Sequence, residues 1–181
     1  NVSPNILIHS AAVYGGLAMN AQMPAEMFDI NVRMLLNIYK SVAEKEGKCN
    51  MDKNLEKMVM ISSACEYPSL LGSNMREDLL WNGSIDDSVL SYGMVKRCME
   101  TIGHAYRKQY NLHSINLPLA VLYGEHDTFN PIRSHVVAAL IRKFVEAKQE
   151  EKEIVELWGS PDVVREFMYV DDMADACLFC M

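Results

Sequence analysis

The sequence has no long apolar run and no excess of positive charge. Half of its 181 residues are hydrophobic, yet no apolar stretch approaches the roughly 18 residues that a membrane helix needs. Acidic residues outnumber basic ones by 24 to 17, which gives a formal net charge of −7. This balance argues against a broad nucleic-acid-binding or membrane-binding surface. We therefore expect a folded globular protein that binds neither nucleic acid nor membrane.

Cysteines are few and scattered along the chain. They lie at five positions: Cys49, Cys65, Cys98, Cys177 and Cys180. Their odd number and irregular spacing do not match a disulfide framework, which favours a reducing compartment and a cytoplasmic location. Cys177 and Cys180 have no second pair at zinc-binding spacing, so we expect them to pack in a core and predict no metal site.

A glycine-rich turn of the form Gly-x-Gly-x-x-Gly is also missing. Such a turn brings backbone N–H groups to the pyrophosphate of a dinucleotide at a helix N-terminus. The sequence begins without Met and stops within a predicted helix at Met181. We therefore expect an internal piece of a longer protein, without the first βαβ unit of its fold.

Predicted strands and helices alternate along the chain. Apolar runs predict strands at 5–12, 57–62, 114–122, 154–158 and 165–170. Helical spacing predicts helices at 24–46, 91–110 and 136–148, with a last helix from Asp171. This order is typical of an α/β fold with a Rossmann-type, doubly wound parallel sheet. Because the composition turns polar after Gly124, we place a boundary between a Rossmann region, 1–124, and a second region, 125–181, whose last helix we expect to return toward the Rossmann region.

Tyr92 and Lys96 are four residues apart on a predicted helix and so share one face. A tyrosine can protonate a ketone oxygen during hydride transfer, and a neighbouring ammonium lowers its pKa from about 10. The pair is weak by itself, because an amphipathic helix with a solvated lysine has the same spacing. Ser62 and Ser63 end the strand predicted at 57–62, where α/β proteins bind ligands, although serines at a strand end are also ordinary turn residues.

An ordered series of motifs surrounds this pair. It comprises His9-Ser-Ala-Ala12, Asn31, Ser62-Ser63, Tyr92-x-x-x-Lys96, Leu122-Tyr-Gly124 and Arg165-Glu-Phe-x-x-Val-Asp-Asp172. In order and spacing the series resembles the extended short-chain dehydrogenase/reductase superfamily over nearly the whole chain. Finer segments resemble its GDP-L-fucose synthase family, among them Ala11-Ala12-Val-Tyr-Gly15-Gly16, Ser63-x-Cys65-x-Tyr67-Pro68, Ser134-His135-Val136 and Trp158-Gly-Ser160.

The resemblance implies an enzyme that epimerises C3 and C5 of GDP-4-keto-6-deoxy-D-mannose and then reduces C4 with NADP(H). Because the helix that carries this tyrosine often joins a dimer-forming bundle in the superfamily, the resemblance also implies a homodimer. It implies Cys65 as base and His135 as acid for the inversion. Tyr92 would protonate the C4 oxygen, held by Ser63, with Lys96 beside it. Implied cofactor contacts are Ala11, Ala12, Ser62, Tyr92, Lys96, Leu119, Leu122 and His135. The resemblance also implies that the second region, 125–181, binds the substrate through Lys143, Trp158 and Arg165.

The sequence departs from the family pattern at several places, one of which is Ala64 in place of a Ser. Residues 119–121 replace a common Pro-Thr-Asn, Ser62 replaces a small Gly, and Glu66 follows Cys65, where a carboxylate raises a thiol pKa. Two alternatives stay open. One is another nucleotide-sugar 4-epimerase or 4,6-dehydratase. The other is a non-catalytic nucleotide-binding scaffold protein, which has no chemical need for Ser63, Tyr92 and Lys96 together.

Overall fold

The computed structural model describes residues 4–45, 48–49, 55–72 and 75–181. Its strands are β1 (Ile6–His9), β2 (Glu44–Lys45), β3 (Lys48–Cys49), β4 (Lys57–Ile61), β5 (Ser114–Leu117), β6 (Val121–Tyr123) and β7 (Phe167–Tyr169). Its α-helices are α1 (Leu17–Gln22), α2 (Pro24–Ala43), α3 (Leu90–Tyr110), α4 (Val136–Gln149) and α5 (Val170–Cys180). Short 3-10 turns lie at Ala64–Glu66, Ser69–Leu71, Glu77–Leu79 and Asp87–Val89.

The main sheet is parallel, with β4 between β1 and β5. Met58, Val59 and Met60 of β4 have no exposed surface. At the edge of the described sheet, Ile6 and Ile8 of β1 are 39% and 46% exposed, so β1 is less buried than its apolar sequence predicts. Because all three strands run the same way, their carboxyl ends lie at one edge of the sheet, where ligands bind in open α/β folds.

Helices cover both faces of this sheet. On one face, α2 and α3 pack against Met58 and Met60 through a cluster that includes Leu35, Tyr39 and Val95. On the other face, Cys177 of α5 packs with Val59 and Ile61. The predicted α/β architecture with a parallel, doubly wound sheet is therefore confirmed. Among the described residues, no helix is both long and apolar enough to cross a membrane.

The strand predicted at 114–122 is in fact two strands. β5 ends at Leu117, and β6 pairs with β7 in a separate two-stranded parallel sheet. The break falls at Pro118, which has no N–H to donate to a strand ladder. The prediction of one continuous strand was therefore wrong.

Other elements also differ from the predictions. No regular structure is present at 154–158, where a strand was predicted, and Ile154 and Trp158 are 81% and 86% exposed. An apolar run without a neighbouring strand to pair with does not form a ladder. The helix predicted to reach 46 ends at Ala43, and residue 46 lies outside the described residues. The unpredicted helix α1 has only six residues, too few to show helical periodicity.

Candidate active site

The chain makes a tight turn at residues 62–66, directly after β4. The turn continues the sheet by backbone bonds, since the N–H of Ser62 donates to the Leu117 carbonyl and that of Ala64 donates to the Leu119 carbonyl, both at 2.9 Å. Ser63 caps the 3-10 helix that follows, its Oγ accepting the N–H of Cys65 at 3.3 Å. The predicted residues Ser63 and Cys65 therefore lie together at the carboxyl edge of the sheet, and both are half-buried.

Helix α3 approaches this turn closely at Gly93. A Cβ atom at Gly93 would lie 2.4 Å from the backbone oxygen of Cys65, closer than real Cβ contacts allow. Glycine is therefore required inside the Tyr92-x-x-x-Lys96 motif for a steric reason. This close approach places Tyr92 beside the Cys65 turn.

Lys96 is buried and points at the end of β4. Its Nζ donates to the Ile61 carbonyl at 2.7 Å and lies 5.3 Å from the centre of the Tyr92 ring. Burial lowers the pKa of Lys96 to about 8, although the nearby Glu66 and Cys65 oppose this shift. The lysine is thus a fixed group of the site, not the solvated side chain of an amphipathic helix.

The pKa of Tyr92 moves in the opposite direction to the prediction. Burial raises it, and the neighbouring Cys65 and Tyr14 raise it further. The prediction of a lowered Tyr92 pKa was therefore wrong, because desolvation of the phenolate by burial is the largest cause of the shift. The Lys96 ammonium donates instead to the Ile61 carbonyl. The raised pKa favours the protonated phenol, the form that can give a proton to a substrate oxygen.

Glu66, the last residue of the turn, makes hydrogen bonds with both its side chain and its backbone. Its carboxyl group is buried and accepts a hydrogen bond from the Ser62 hydroxyl. Its backbone oxygen accepts the Nε–H of Arg97 at 2.8 Å, and Arg97 also donates to the Gly83 carbonyl at 3.1 Å. Burial raises the pKa of Glu66 to about 7. A carboxyl group in this position titrates near neutral pH, beside the predicted thiol base.

The loop after β1 forms another wall of the site. Tyr14 stacks on His135, with ring centres 5.7 Å apart and planes only 8° from parallel. The Asn31 side chain holds the loop by bonds of 2.8 Å to both the N–H and the carbonyl of Val13. His135 precedes α4 but its side chain makes no cap hydrogen bond. Sequence reasoning overlooked Tyr14, whose only signal was an aromatic residue among small ones.

The predicted catalytic residues are thus joined by a short series of interactions. Ser63 and Cys65 share a turn, and Tyr92 interacts electrostatically with Cys65 and Tyr14. The last link is the stack of Tyr14 on His135. The arrangement brings a thiol, a phenol, an ammonium and an imidazole to one edge of the sheet, which is a set suited to acid–base chemistry on a carbonyl compound.

The other residues of the predicted cofactor set lie around the same edge. Ala11 and Ala12 follow β1 and are exposed and half-buried, respectively. The Leu119 side chain is half-buried and packs against the core cluster that contains Val59 and Ile61. Leu122 lies within β6 of the second sheet, opposite Met168.

The predicted substrate residues are only partly brought together. Lys143 on α4 places its Nζ 4.9 Å from the Trp158 ring and donates to the Glu156 carbonyl at 2.8 Å. Arg165 is exposed and donates to the carbonyl of its neighbour Val164 at 3.0 Å. In the part of the chain that the structure describes, no group of three or more His, Cys, Asp or Glu residues could hold a metal ion.

Known proteins are similar to this chain in sequence and in fold. GDP-L-fucose synthase 1 from Arabidopsis thaliana is 33% identical over 178 residues, which are 98% of this chain and 53% of that protein. A GDP-L-fucose synthetase from Naegleria fowleri bound to NADP superposes with a TM-score of 0.81 at 26% identity, over 99% of this chain and 56% of the other. A GDP-6-OMe-4-keto-L-xylo-heptose reductase from C. jejuni superposes with a TM-score of 0.82 at 25% identity, over 97% and 56%.

The chain spans about half the length of the curated relatives that it matches. The family model described as the NAD dependent epimerase/dehydratase family matches residues 1–181. Its match covers the turn after β4, the Tyr92–Lys96 helix and the loop before α4. By this match, the chain belongs to the NAD dependent epimerase/dehydratase family.

Proposed function

We propose that the native protein epimerises C3 and C5 of GDP-4-keto-6-deoxy-D-mannose and then reduces C4 with NADPH, which yields GDP-L-fucose. The observation that carries this proposal is the Cys65 thiol beside the Tyr92 phenol and the buried Lys96 ammonium. A plain ketone reductase needs the phenol and the ammonium but not the thiol. The similarity to a GDP-L-fucose synthase along 98% of the chain supports the same substrate.

The epimerisation requires a base and an acid on opposite faces of the sugar. The 4-keto group makes the protons on C3 and C5 acidic, because the resulting carbanion is an enolate. Cys65 removes such a proton as a thiolate, and His135 returns a proton to the other face. Ser63 donates a hydrogen bond to the C4 oxygen and stabilises its negative charge.

The reduction uses the other half of the site. Tyr92 gives its proton to the C4 oxygen, for which a protonated phenol is required. When bound, the nicotinamide cofactor supplies a hydride to C4. Lys96 then favours the phenolate that is left, because an ammonium stabilises a nearby negative charge.

The residues present fit a dinucleotide cofactor. Ala11 and Ala12 offer small side chains at the carboxyl end of β1. The Lys96 ammonium has three N–H donors, and the Ile61 carbonyl takes one of them, which leaves donors for ribose hydroxyls. We propose that Ser62, Leu119, Leu122 and His135 complete the contacts, and the NADP in a similar solved structure supports NADP over NAD.

The second region, 125–181, is proposed to bind the nucleotide diphosphate. Lys143 and Arg165 offer positive charge to phosphate oxygens, and Trp158 offers an aromatic face. The contact of Lys143 with Trp158 supports a joint role for these two residues. Region 1–124 would then hold the cofactor.

Incubation of the native protein with GDP-4-keto-6-deoxymannose tests this proposal. We expect loss of NADPH absorbance and uptake of solvent deuterium at C3 and C5. Cys65→Ser should stop deuterium uptake while NADPH still binds, and Tyr92→Phe should stop NADPH oxidation while deuterium uptake continues. Cys98→Ser is the matched control, because this half-buried thiol lies on α3 and packs against the core cluster. Absence of NADPH oxidation by the native protein would refute the proposal.

A second candidate is a GDP-sugar 4-reductase without epimerase activity. The structural similarity to a GDP-heptose reductase favours it, as does the buried Glu66 carboxyl group beside Cys65. Deuterium uptake separates the two candidates, because a simple reductase oxidises NADPH without exchange at C3 or C5.

We also propose a cytoplasmic homodimer. The free thiols of Cys65, Cys98, Cys177 and Cys180 support a reducing compartment. Exposed Phe28 and Leu36 on α2 support an interface between copies. Light scattering of the native protein should give twice the monomer mass, and a monomer mass would exclude the homodimer.

A further inference from the structure

Two adjacent residues of α3 hold the turn at 62–66 at both of its ends. The Lys96 ammonium donates to the Ile61 carbonyl just before the turn, at 2.7 Å. The Arg97 guanidinium donates to the carbonyl of Glu66, its last residue, at 2.8 Å. Both cations are buried, with 4% of their surface exposed. The turn that carries Ser63 and Cys65 is thus fixed to the helix that carries Tyr92.

Glu66 ties the turn together between these two anchors. Its N–H donates to the Ser63 carbonyl at 3.0 Å, and its carboxyl group accepts the Ser62 hydroxyl. Cys65 lies inside the loop closed by these two bonds, and its own N–H donates to Ser63 Oγ. The turn around the thiol is therefore held by bonds from Ser63, Glu66 and α3, in addition to its two backbone bonds to residues 117 and 119.

Burial of a carboxyl group costs desolvation free energy, and Glu66 is only 3% exposed. A leucine would fill similar space without desolvation, so packing alone does not explain Glu66. The charged groups around it also do not make a simple ion pair. Lys96, Arg97 and Glu100 of α3 all act on its pKa, and Glu100 acts against the two cations.

We propose that Glu66 is a positioning residue, whose hydrogen bond from Ser62 fixes the turn that presents the Cys65 thiol and the Ser63 hydroxyl. The role of Cys65 as base rests on the proposed function. The position of the thiol does not, since it follows from the turn alone. A hydrogen-bond acceptor at residue 66 is what the turn requires, and the negative charge is not.

Replacement of Glu66 by Gln and by Leu in the native protein separates these two properties. Gln keeps an oxygen acceptor for Ser62, so deuterium uptake at C3 and C5 should stay within about threefold of wild type. Leu keeps the volume but removes the acceptor. A displaced base should lower kcat for exchange by about tenfold to a hundredfold, with little change in KM.

Ser62→Ala removes the same hydrogen bond from its other end. It should reproduce the loss caused by Glu66→Leu, and the double variant should be no slower than Glu66→Leu alone. This variant keeps the test decisive if Glu66→Leu does not fold. Glu100→Gln is the matched control: it removes a charge that acts on Glu66 without touching the turn, and should exchange like wild type.

Alkylation of Cys65 by iodoacetamide gives a readout that needs no substrate. At about pH 6, below the pKa of about 7, Glu66 is mostly protonated, so wild type and Glu66→Gln carry nearly the same charge there. Their alkylation rates, read by mass spectrometry with Cys98 as internal reference, should agree. The Leu variant should differ from both by about tenfold, the size expected for a displaced reacting group.

Equal alkylation of Cys65 in wild type and the Leu and Ala variants would overturn the proposal. So would a Gln variant that loses as much exchange as the Leu variant, because the charge would then be what matters. If the native protein shows no exchange at all, the proposed function fails, and the alkylation rates still decide the positioning role.

Discussion

At the scale of single residues, the buried carboxyl group of Glu66 makes stability depend on pH. Its pKa in the folded protein is about 7, above its ordinary value of 4.5. The folded state therefore keeps a proton that the unfolded chain releases between about pH 4.5 and 7. The stabilisation that this proton gives to the folded state is fully present below about pH 4.5. It is lost as the pH rises through 7, which lowers the free energy of unfolding by up to about 3 kcal/mol.

Glu66→Gln does not titrate and should escape this loss. We expect the free energy of unfolding of the variant, relative to wild type, to rise as the pH increases from about 4.5 to 7. Urea denaturation at about pH 5 and pH 8 measures this difference. Glu100→Gln, with an exposed side chain, is the control and should show a much smaller trend. A difference that is the same at both pH values would contradict the prediction.

The sequence predicted which residues lie in the site better than it predicted their pKa values. The spacing of Tyr92 and Lys96 placed both on one helix face, because helical periodicity is a local property. The predicted direction of the Tyr92 pKa shift was wrong, since the shift depends on burial and on the charges of Cys65 and Tyr14, which lie on other segments of the chain. The same holds for Glu66, whose partner Ser62 is near in sequence but whose burial comes from α3.

At the scale of elements, the contact of α3 with the turn after β4 depends on Gly93. Gly93→Ala would force apart the Cβ and the Cys65 oxygen, which would otherwise be 2.4 Å apart. We expect the free energy of unfolding to fall by about 1–3 kcal/mol, as for other overpacked sites, despite the better helix propensity of alanine. Urea denaturation measures this change, and deuterium uptake should fall with it.

Gly103→Ala on the same helix is the comparison. There the nearest atom is the Ser114 hydroxyl oxygen at 2.8 Å, a side-chain atom that can shift at the cost of its bond from Tyr39, whereas at Gly93 the nearest atom is the Cys65 backbone oxygen. The loss of stability should therefore be smaller at Gly103. A loss at Gly93 no greater than at Gly103 would show that the α3 contact can relax.

Elements with a strong local pattern were predicted well and the others were not. Helix α3 begins and ends within one residue of its predicted range, 91–110. The break at Pro118 and the irregular segment at 154–158 were missed, because strand formation depends on a partner strand far along the chain. Apolar residues alone do not supply that partner.

At the scale of the whole molecule, β4 is the most enclosed part of the described chain. It is hydrogen-bonded on both sides and covered on both faces, by α2 and α3 and by α5. Its amides should open only by global unfolding and exchange most slowly with solvent. Hydrogen exchange of the native protein, read by NMR or mass spectrometry, tests this.

The β6–β7 pair provides the internal contrast. Phe167 of β7 is 46% exposed, and this sheet has only two strands. We expect its amides to exchange faster than those of β4 at the same pH. Equal protection in both sheets would mean that they unfold as one cooperative unit.

The hold of Asn31 on Val13 has a consequence for insertions and deletions. The loop between β1 and α1 is fixed to α2 at one residue, because the Asn31 side chain hydrogen-bonds to both backbone groups of Val13. A residue added or removed between His9 and Val13 would shift Tyr14 out of register with His135. Insertions and deletions among family members should therefore be rare between His9 and Val13, and more common in loops that no side chain fixes in this way.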